Sequence, residues 1–335
     1  MKIAVDAMGG DLAPDEIIKG AADAAQKGTH IILVGAENVI YPMLMQYSTN
    51  SHVSIVDAPQ VIGFEETATK AVRRKQHSSI VMGIDLVRSG EAAAFVSAGH
   101  TGAVVTAAIL HLGKAKGVVR PALAVLLPTM AGQTLVLDIG ANADCKPHFL
   151  LGFARLGNEY ASNALGIVNP RIGLLSNGEE CSKGNKLVRE SHKLLENSKL
   201  NFIGNMEGKD IMRGNADVVI TDGFTGNTMI KTIEGLGEMI FHILGSAQSA
   251  NSPAESGAAP GASQSGNGQQ WKSTLSGMTK RLDWSEHGGA VLLGVRGGIV
   301  VAHGRSKAKA IANAIRVARV AAKSLEETES QETHE

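Results

Sequence analysis

A short run of β-branched residues or leucine, a turn of Gly, Asp or Asn, then a helical period: this order recurs along the whole chain. "KIAVDAMGGD" leads into "PDEIIKGAADAAQK", "AAAFVSAGHTG" into "AVVTAAILHLGK", and "TLVLDIGANAD" into "PHFLLGFARLGNEYASNAL". "RIGLLSNGEE" leads into "GNKLVRESHKLLEN", "ADVVITDGFTGN" into "TMIKTIEGLGEMIFHIL", and "GIVVAHG" into "SKAKAIANAIRVARVAAKSL". Strands that alternate with helices make βαβ units, so the pattern predicts an α/β fold with α/β/α layers and a mostly parallel sheet. In such sheets the crevice lies outside the carboxyl ends of the strands. The polar turns are therefore expected together on one sheet edge.

A chain of 335 residues can bury a substantial core without staples, and residues 1–325 read as a single catalytic α/β domain. Lys plus Arg (32) equals Asp plus Glu (32), so global charge gives no pull toward nucleic acid. The two cysteines, Cys145 and Cys181, form no C-x-x-C and no disulfide framework, which fits a reducing cytoplasm. No signal peptide is visible, and no stretch reaches the roughly 18 apolar residues of a membrane span.

Three glycine turns carry the chemistry. In "SAGHTGA" a strand ends at Ser97 and a helix starts near Thr101 or Gly102. Unpaired N–H groups and the positive dipole end of a first helical turn favour a bound anion. Gly99 and Gly102 permit close approach, Ser97 and Thr101 add hydroxyls, and His100 stands between them. "TDGFTGN" repeats the logic with Asp222, Gly223, Thr225, Gly226 and Asn227, and its helix carries Lys231 one turn in. "MGGD" sets Gly9 and Gly10 between Asp6 and Asp11. None of these turns fits a dinucleotide or nucleoside-triphosphate fingerprint.

Charged loops supply the remaining candidates. "NGEECSKGNK" offers Asn177, Glu179, Glu180 and Lys183, a set able to face an anionic substrate and handle a proton. "DIGANADCKP" offers Asp138, Asn142, Asp144 and Lys146, and "TKAVRRKQHSS" offers Arg73, Arg74 and Lys75 as a cationic docking face. The histidines are scattered without a metal-ligand spacing, and no nucleophile elbow is present, so neither a metal nor a cofactor is expected. Residues 246–270 are almost wholly Ala, Gly, Ser, Pro, Asn and Gln and read as a flexible insert. An amphipathic segment follows at 271–284, with Trp271, Leu275, Met278 and Leu282 at helical spacing, suited to a helix face, a sister subunit or a membrane. The acidic tail, 326–335, reads as disordered.

Taken together and in order, "VDAMGGD", "RRKQHSS", "VSAGHTGA", "LDIGANADCKP", "NPRIGLLSNGEE", "ADVVITDGFTGN", "KTIEG" and "VVAHG" resemble the phosphate acyltransferase family of bacterial phospholipid synthesis (the PlsX type). The resemblance runs from about residue 2 to about residue 320. It implies a fold related to the isopropylmalate dehydrogenase and phosphotransacetylase group. It also implies transfer of a fatty acyl group from acyl carrier protein to inorganic phosphate. A homodimer at the inner face of the membrane, feeding a glycerol-phosphate acyltransferase, is implied as well.

Such a reaction uses phosphate itself as nucleophile, so the protein must supply an anion cradle and donors for the developing oxyanion. On this reading the Ser97–Gly102 and Asp222–Asn227 loops hold phosphate and carbonyl, and Lys183 and Lys231 offset charge. Asn142 and Asn177 donate to polar groups, and Glu179, Glu180 or His303 handles a proton. The carrier docks at Arg73, Arg74 and Lys75. This chain departs from the family pattern at His100, where Asn is expected, and in its Ala/Gly/Ser-rich insert. The alternatives are a coenzyme A-dependent phosphate acetyl- or butyryltransferase, a metal- and NAD-dependent dehydrogenase, and a non-catalytic carrier-binding scaffold.

Overall fold

The computed structural model describes residues 1–48, 52–250 and 288–332. The strands are β1 (Lys2–Asp6), β2 (His30–Gly35), β3 (Val53–Asp57), β4 (Ala94–Ser97), β5 (Ala122–Thr129) and β6 (Gly132–Leu137). They continue with β7 (Ile172–Leu175), β8 (Phe202–Met206), β9 (Val218–Ile220), β10 (Ala290–Leu293) and β11 (Gly298–Val301). All join one 11-stranded sheet in the order β3-β2-β1-β4-β11-β10-β5-β6-β9-β7-β8.

Helices cover both faces, and this explains why the strands read as near-continuous apolar runs. Along β1, Ile3 and Val5 enter one core with Val96, Ile311 and Ile315, while Ala4 enters the other with Phe95, Ile80 and Val104. The first face is closed by helices Asp15–Gln26 and Ala308–Glu332. Where the helix Ser79–Arg88 crosses Phe95, only glycine fits, because a Cβ on Gly83 would lie 2.1 Å from the ring.

The expectation of one shared edge is corrected. β10 runs antiparallel to β11 and to β5, and β5 runs antiparallel to β6. Two parallel blocks therefore point in opposite directions. The carboxyl ends of β1, β4 and β11 lie at one edge, and those of β6, β7, β8 and β9 lie at the other. The two hairpins that reverse direction join strands a periodicity argument treats as equivalent. The helix Gly223–Ala250 begins at the second edge and runs back toward the first, where Glu234 Oε2 meets His303 Nε2 at 3.7 Å.

Two boundaries also move. The helix Gly223–Ala250 takes up residues 246–250 of the expected flexible insert, since Ala, Gln and Ser there extend a helix already built. The tail expected as disordered continues the last helix to Glu332, because "EETESQE" holds helix-forming Glu and Gln and no Gly or Pro stop. The amphipathic 271–284 segment and the rest of the insert lie outside the described residues. Among the described residues, no helix is long and apolar enough to cross a membrane.

Candidate functional site

At the first edge, the ends of β1, β4 and β11 converge. Asp6 closes β1 and is buried, with the Ser97 hydroxyl donating to its Oδ2 at 2.7 Å and the Met8 N–H to its Oδ1 at 3.1 Å. Burial pushes the Asp6 carboxyl above its ordinary range, against these bonds and one from Ser79. Ser97 in turn accepts from the Gly99 N–H at 3.0 Å. Both sides of the Ser97 hydroxyl are thus used inside the protein. Gly9 is required here by close approach, since a Cβ would fall 2.2 Å from Asp6 Oδ2 and 2.8 Å from Gly99 N. Gly10, at φ +116°, faces the Gly304 carbonyl, and the Asp11 N–H donates to that carbonyl at 2.8 Å.

His100 caps the helix Thr101–Ala107, which continues as a π-helical turn to Leu112. Its Nδ1 accepts from the Ala103 N–H at 3.3 Å, and its Nε2 lies 3.0 Å from the Glu66 carbonyl. A carbonyl only accepts, so Nε2 carries the proton and Nδ1 holds the lone pair. His100 therefore serves as cap and tether, as a hydrogen-bonding side chain and not a free base. The N–H groups of Thr101 and Gly102 and the Thr101 hydroxyl have no acceptor among the described residues, which leaves them open to an anion.

The loop at residues 61–66, tied to His100 through the Glu66 carbonyl, carries no signal in the sequence. Lys75 Nζ donates to the Val61 carbonyl and to Glu66 Oε1, each at 2.7 Å, and the Gly63 N–H donates to the same Glu66 oxygen at 2.7 Å. These bonds hold the Glu66 carboxyl below its usual range. Lys75, expected on the docking face, is spent inside the protein; Arg73 and Arg74 are exposed. Phe64, half-exposed, stacks on His100 with centroids 6.4 Å apart. Nothing in "GFEET" read alone marks Phe64, because its meaning comes from a partner far along the chain.

The second edge holds a different arrangement. Asp138 is buried and accepts from the N–H groups of Leu123, Gly140, Ala141 and Asn142 and from Asn142 Nδ2, at 2.7–3.2 Å. Asn142 also donates to the Pro121 carbonyl at 2.8 Å, and its own carbonyl accepts the Gly223 N–H at 2.9 Å. Asp222 caps the helix that follows, accepting the Thr225 N–H at 2.9 Å and its hydroxyl at 2.8 Å. Donors expected to meet a substrate anion are here consumed by the protein's own carboxylates. Asn227 packs beside Gly140. Cys145 Sγ donates to the Asn142 carbonyl at 3.4 Å, and burial pushes its thiol up to about 11.

Asn177, Glu180 and Lys183 follow β7 at this same edge. Asn177 Oδ1 accepts the Gly184 N–H at 2.8 Å, and the Glu180 carbonyl accepts from Lys183 N–H and Asn205 Nδ2, both at 2.9 Å. Glu179 lies with Glu207 and Asp210, which sequence reading did not join; Lys209 pairs with Glu207, and Arg213 with Asp210. Among the described residues no hydrogen bond or ion pair links the 177–185 or 222–227 loops to the 97–102 loop. Lys231 is exposed on the helix Gly223–Ala250. It lies one turn before Glu234 on the helix that crosses to His303, whose strand joins β4 through Ala302 N–H to Ser97 carbonyl at 2.8 Å.

A family model described as a fatty acid synthesis protein matches residues 1–326. The chain is 49% identical to a phosphate acyltransferase of Dehalococcoides mccartyi, covering 95% of this chain and 90% of that protein. It is 48% identical to a phosphate acyltransferase of Pelotomaculum thermopropionicum, over 95% and 91%. Among solved structures, a phosphotransacetylase from Streptococcus pyogenes superimposes with a TM-score of 0.62 at 18% identity, covering 97% and 94% of the two chains. A 4-hydroxythreonine-4-phosphate dehydrogenase from Klebsiella pneumoniae gives 0.55 at 14%, over 96% and 99%. These last two likenesses speak for the fold alone. With a full-length family match and close relatives of one name, this chain belongs to the phosphate acyltransferase family.

Proposed function

We propose that the chain transfers a fatty acyl group from acyl carrier protein to inorganic phosphate, for phospholipid synthesis. A phosphate oxygen attacks the thioester carbonyl carbon, the C–S bond breaks, and the carrier leaves as a thiolate that takes up a proton. The observation that carries this reading is that neither Ser97 nor Cys145 is set up to attack a thioester. Ser97 is buried and donates to Asp6, and the Cys145 thiol is pushed up to about 11. On this reading the acceptor does its own attacking, and the protein's work is to hold it.

We place that work at the first edge. Thr101 and Gly102 present open donors, and in this proposal Lys231, exposed on the helix whose Glu234 meets His303, supplies a cation. Holding an oxyanion this way is worth about 3–4 kcal/mol per well-placed donor. Asp222, Asn142 and Thr225 act as scaffold for the helix that carries Lys231. Leu236, Met239 and Ile243, exposed at helical spacing on that helix, support a covered face, and in this proposal a second copy of the chain covers it. The acyl phosphate would pass to a membrane glycerol-phosphate acyltransferase.

The test is to incubate the protein with palmitoyl-acyl carrier protein, with and without phosphate. Free carrier thiol should appear only with phosphate, and Lys231→Met should lower kcat/KM about a hundredfold. Thiol release equal in both arms, or release from acyl-coenzyme A alone, would overturn the reading.

A further inference from the structure

The chain carries as many cationic as anionic side chains, yet one corner of the sheet is cationic alone. No Asp or Glu stands between Glu91 and Asp138, and none between Glu286 and Glu326. The fold brings these two stretches together, laying the segment that begins at Gly113 along the β10–β11 hairpin. The Ala115 N–H donates to the Gly294 carbonyl at 3.0 Å, and the Arg296 N–H to the Gly113 carbonyl at 3.1 Å. Lys114, Lys116, Arg120 and Arg296 are all exposed there. Among the described residues none of the four forms an ion pair. Asp85, on the helix packed against the preceding π-helical turn, is already shared by Arg88 and His111. The lobe is also held in shape. Lys114 Nζ donates to the Val119 carbonyl at 3.0 Å, Arg296 Nε donates to the Leu112 carbonyl at 2.8 Å, and the Arg120 guanidinium lies 5.5 Å over the Phe149 ring.

We infer that this lobe is the docking face for an acidic protein, and that the acyl carrier is the protein it receives. The carrier comes from the acyl-transfer reading above; the face itself rests on charge. Acyl carrier proteins are acidic, and cations without carboxylates of their own keep their field for an incoming acidic surface, which speeds and orients the encounter. The backbone ribbon and the Phe149 stack hold the loop before anything binds, so little ordering is left for contact. A membrane suits the lobe less well. Val119 is the one exposed large apolar side chain of residues 113–120, and a segment seated in a membrane surface needs an apolar face to bury. The cationic run Arg73–Lys75 is the weaker face, because Lys75 is paired with Glu66 and Glu65 adjoins that pair.

The experiment is isothermal titration of the carrier into the protein at low and at high salt. At low salt Lys116→Glu should raise the Kd about fivefold, Lys116→Gln less, and Lys116→Glu with Arg120→Glu about twentyfold. The differences should shrink at high salt, where exposed charges are screened. Unchanged affinity in these variants, beside a wild type that releases thiol with phosphate, overturns this inference alone. So does weaker binding in Arg73→Glu while Lys116→Glu keeps the wild-type Kd. A Lys116→Glu protein that loses binding to phosphatidylglycerol vesicles but keeps its carrier affinity gives the lobe to a lipid surface and overturns the inference too. A wild type that neither binds the carrier nor releases thiol overturns it together with the reading above.

Discussion

Substituting Gly226 by alanine should damage this protein far more than the same change nine residues further along the same helix. A Cβ at Gly226 would stand 2.0 Å from the Asp138 carbonyl oxygen, where ordinary contact begins at 3.4 Å. The obstacle is backbone, so the helix start and the 138–142 loop must separate by 3.4 − 2.0 = 1.4 Å. Overpacking of this kind costs about 1–3 kcal/mol. The same shift pulls on the Gly223 N–H to Asn142 bond (2.9 Å) and the Asp138 N–H to Thr221 bond (3.1 Å), worth about 1 kcal/mol each. The expected loss is about 3–5 kcal/mol, a large share of the ~5–15 kcal/mol a domain commonly has. Gly235 meets nothing within 4 Å, so Gly235→Ala should stabilise the helix by about 0.5–1 kcal/mol. Urea denaturation of both variants at equal m-value reads the difference directly. A Gly226→Ala protein within about 0.5 kcal/mol of wild type would mean that the two loops do not pack as described.

Asp6 has a folded pKa raised by burial, so the protonated native state is favoured. Its contribution is full below the ordinary carboxylate value of 3.8 and is lost as pH rises through the folded value. Relative to Asp6→Asn, wild type should lose stability over that window in urea melts; parallel profiles would contradict it. His100→Asn should keep the cap on Ala103 and stay within about 0.5 kcal/mol of wild type, whereas His100→Val should lose about 1 kcal/mol, both read by thermal melting. At neutral pH the Cys145 thiol, pushed up to about 11, is thiolate to about one part in ten thousand. Iodoacetamide should therefore label exposed Cys181 first, and Cys145→Ser should keep the transferase activity; mass spectrometry and the thiol assay check the two halves.

Much of this molecule was legible in the chain itself. Apolar runs ending in Gly, Asp or Asn located β1, β4, β6, β7, β9 and β11 and the helices after them, because burial on both faces of a parallel sheet leaves so little choice of residue. The break at Ser97 and the helix start at Thr101 fell where the turn residues put them. The ordered motifs also named the family, which the full-length match bears out.

Only the tertiary structure decided which way the strands run and what each polar group spends its bonds on. Hydrophobic periodicity is the same whichever direction a neighbour runs, so antiparallel β10 and the β5–β6 pair left no mark in the pattern, and loops expected on one edge separated onto two. Donor-rich turns also look alike in sequence whether their partner is a substrate or a carboxylate nearby. Asp138 and Asp222 satisfy their own turns, Lys75 pins the Phe64 loop, and the Thr101–Gly102 start is left open. Which hydrogen bonds are already made depends on residues brought close from distant parts of the chain, and spacing along a sequence carries no record of that.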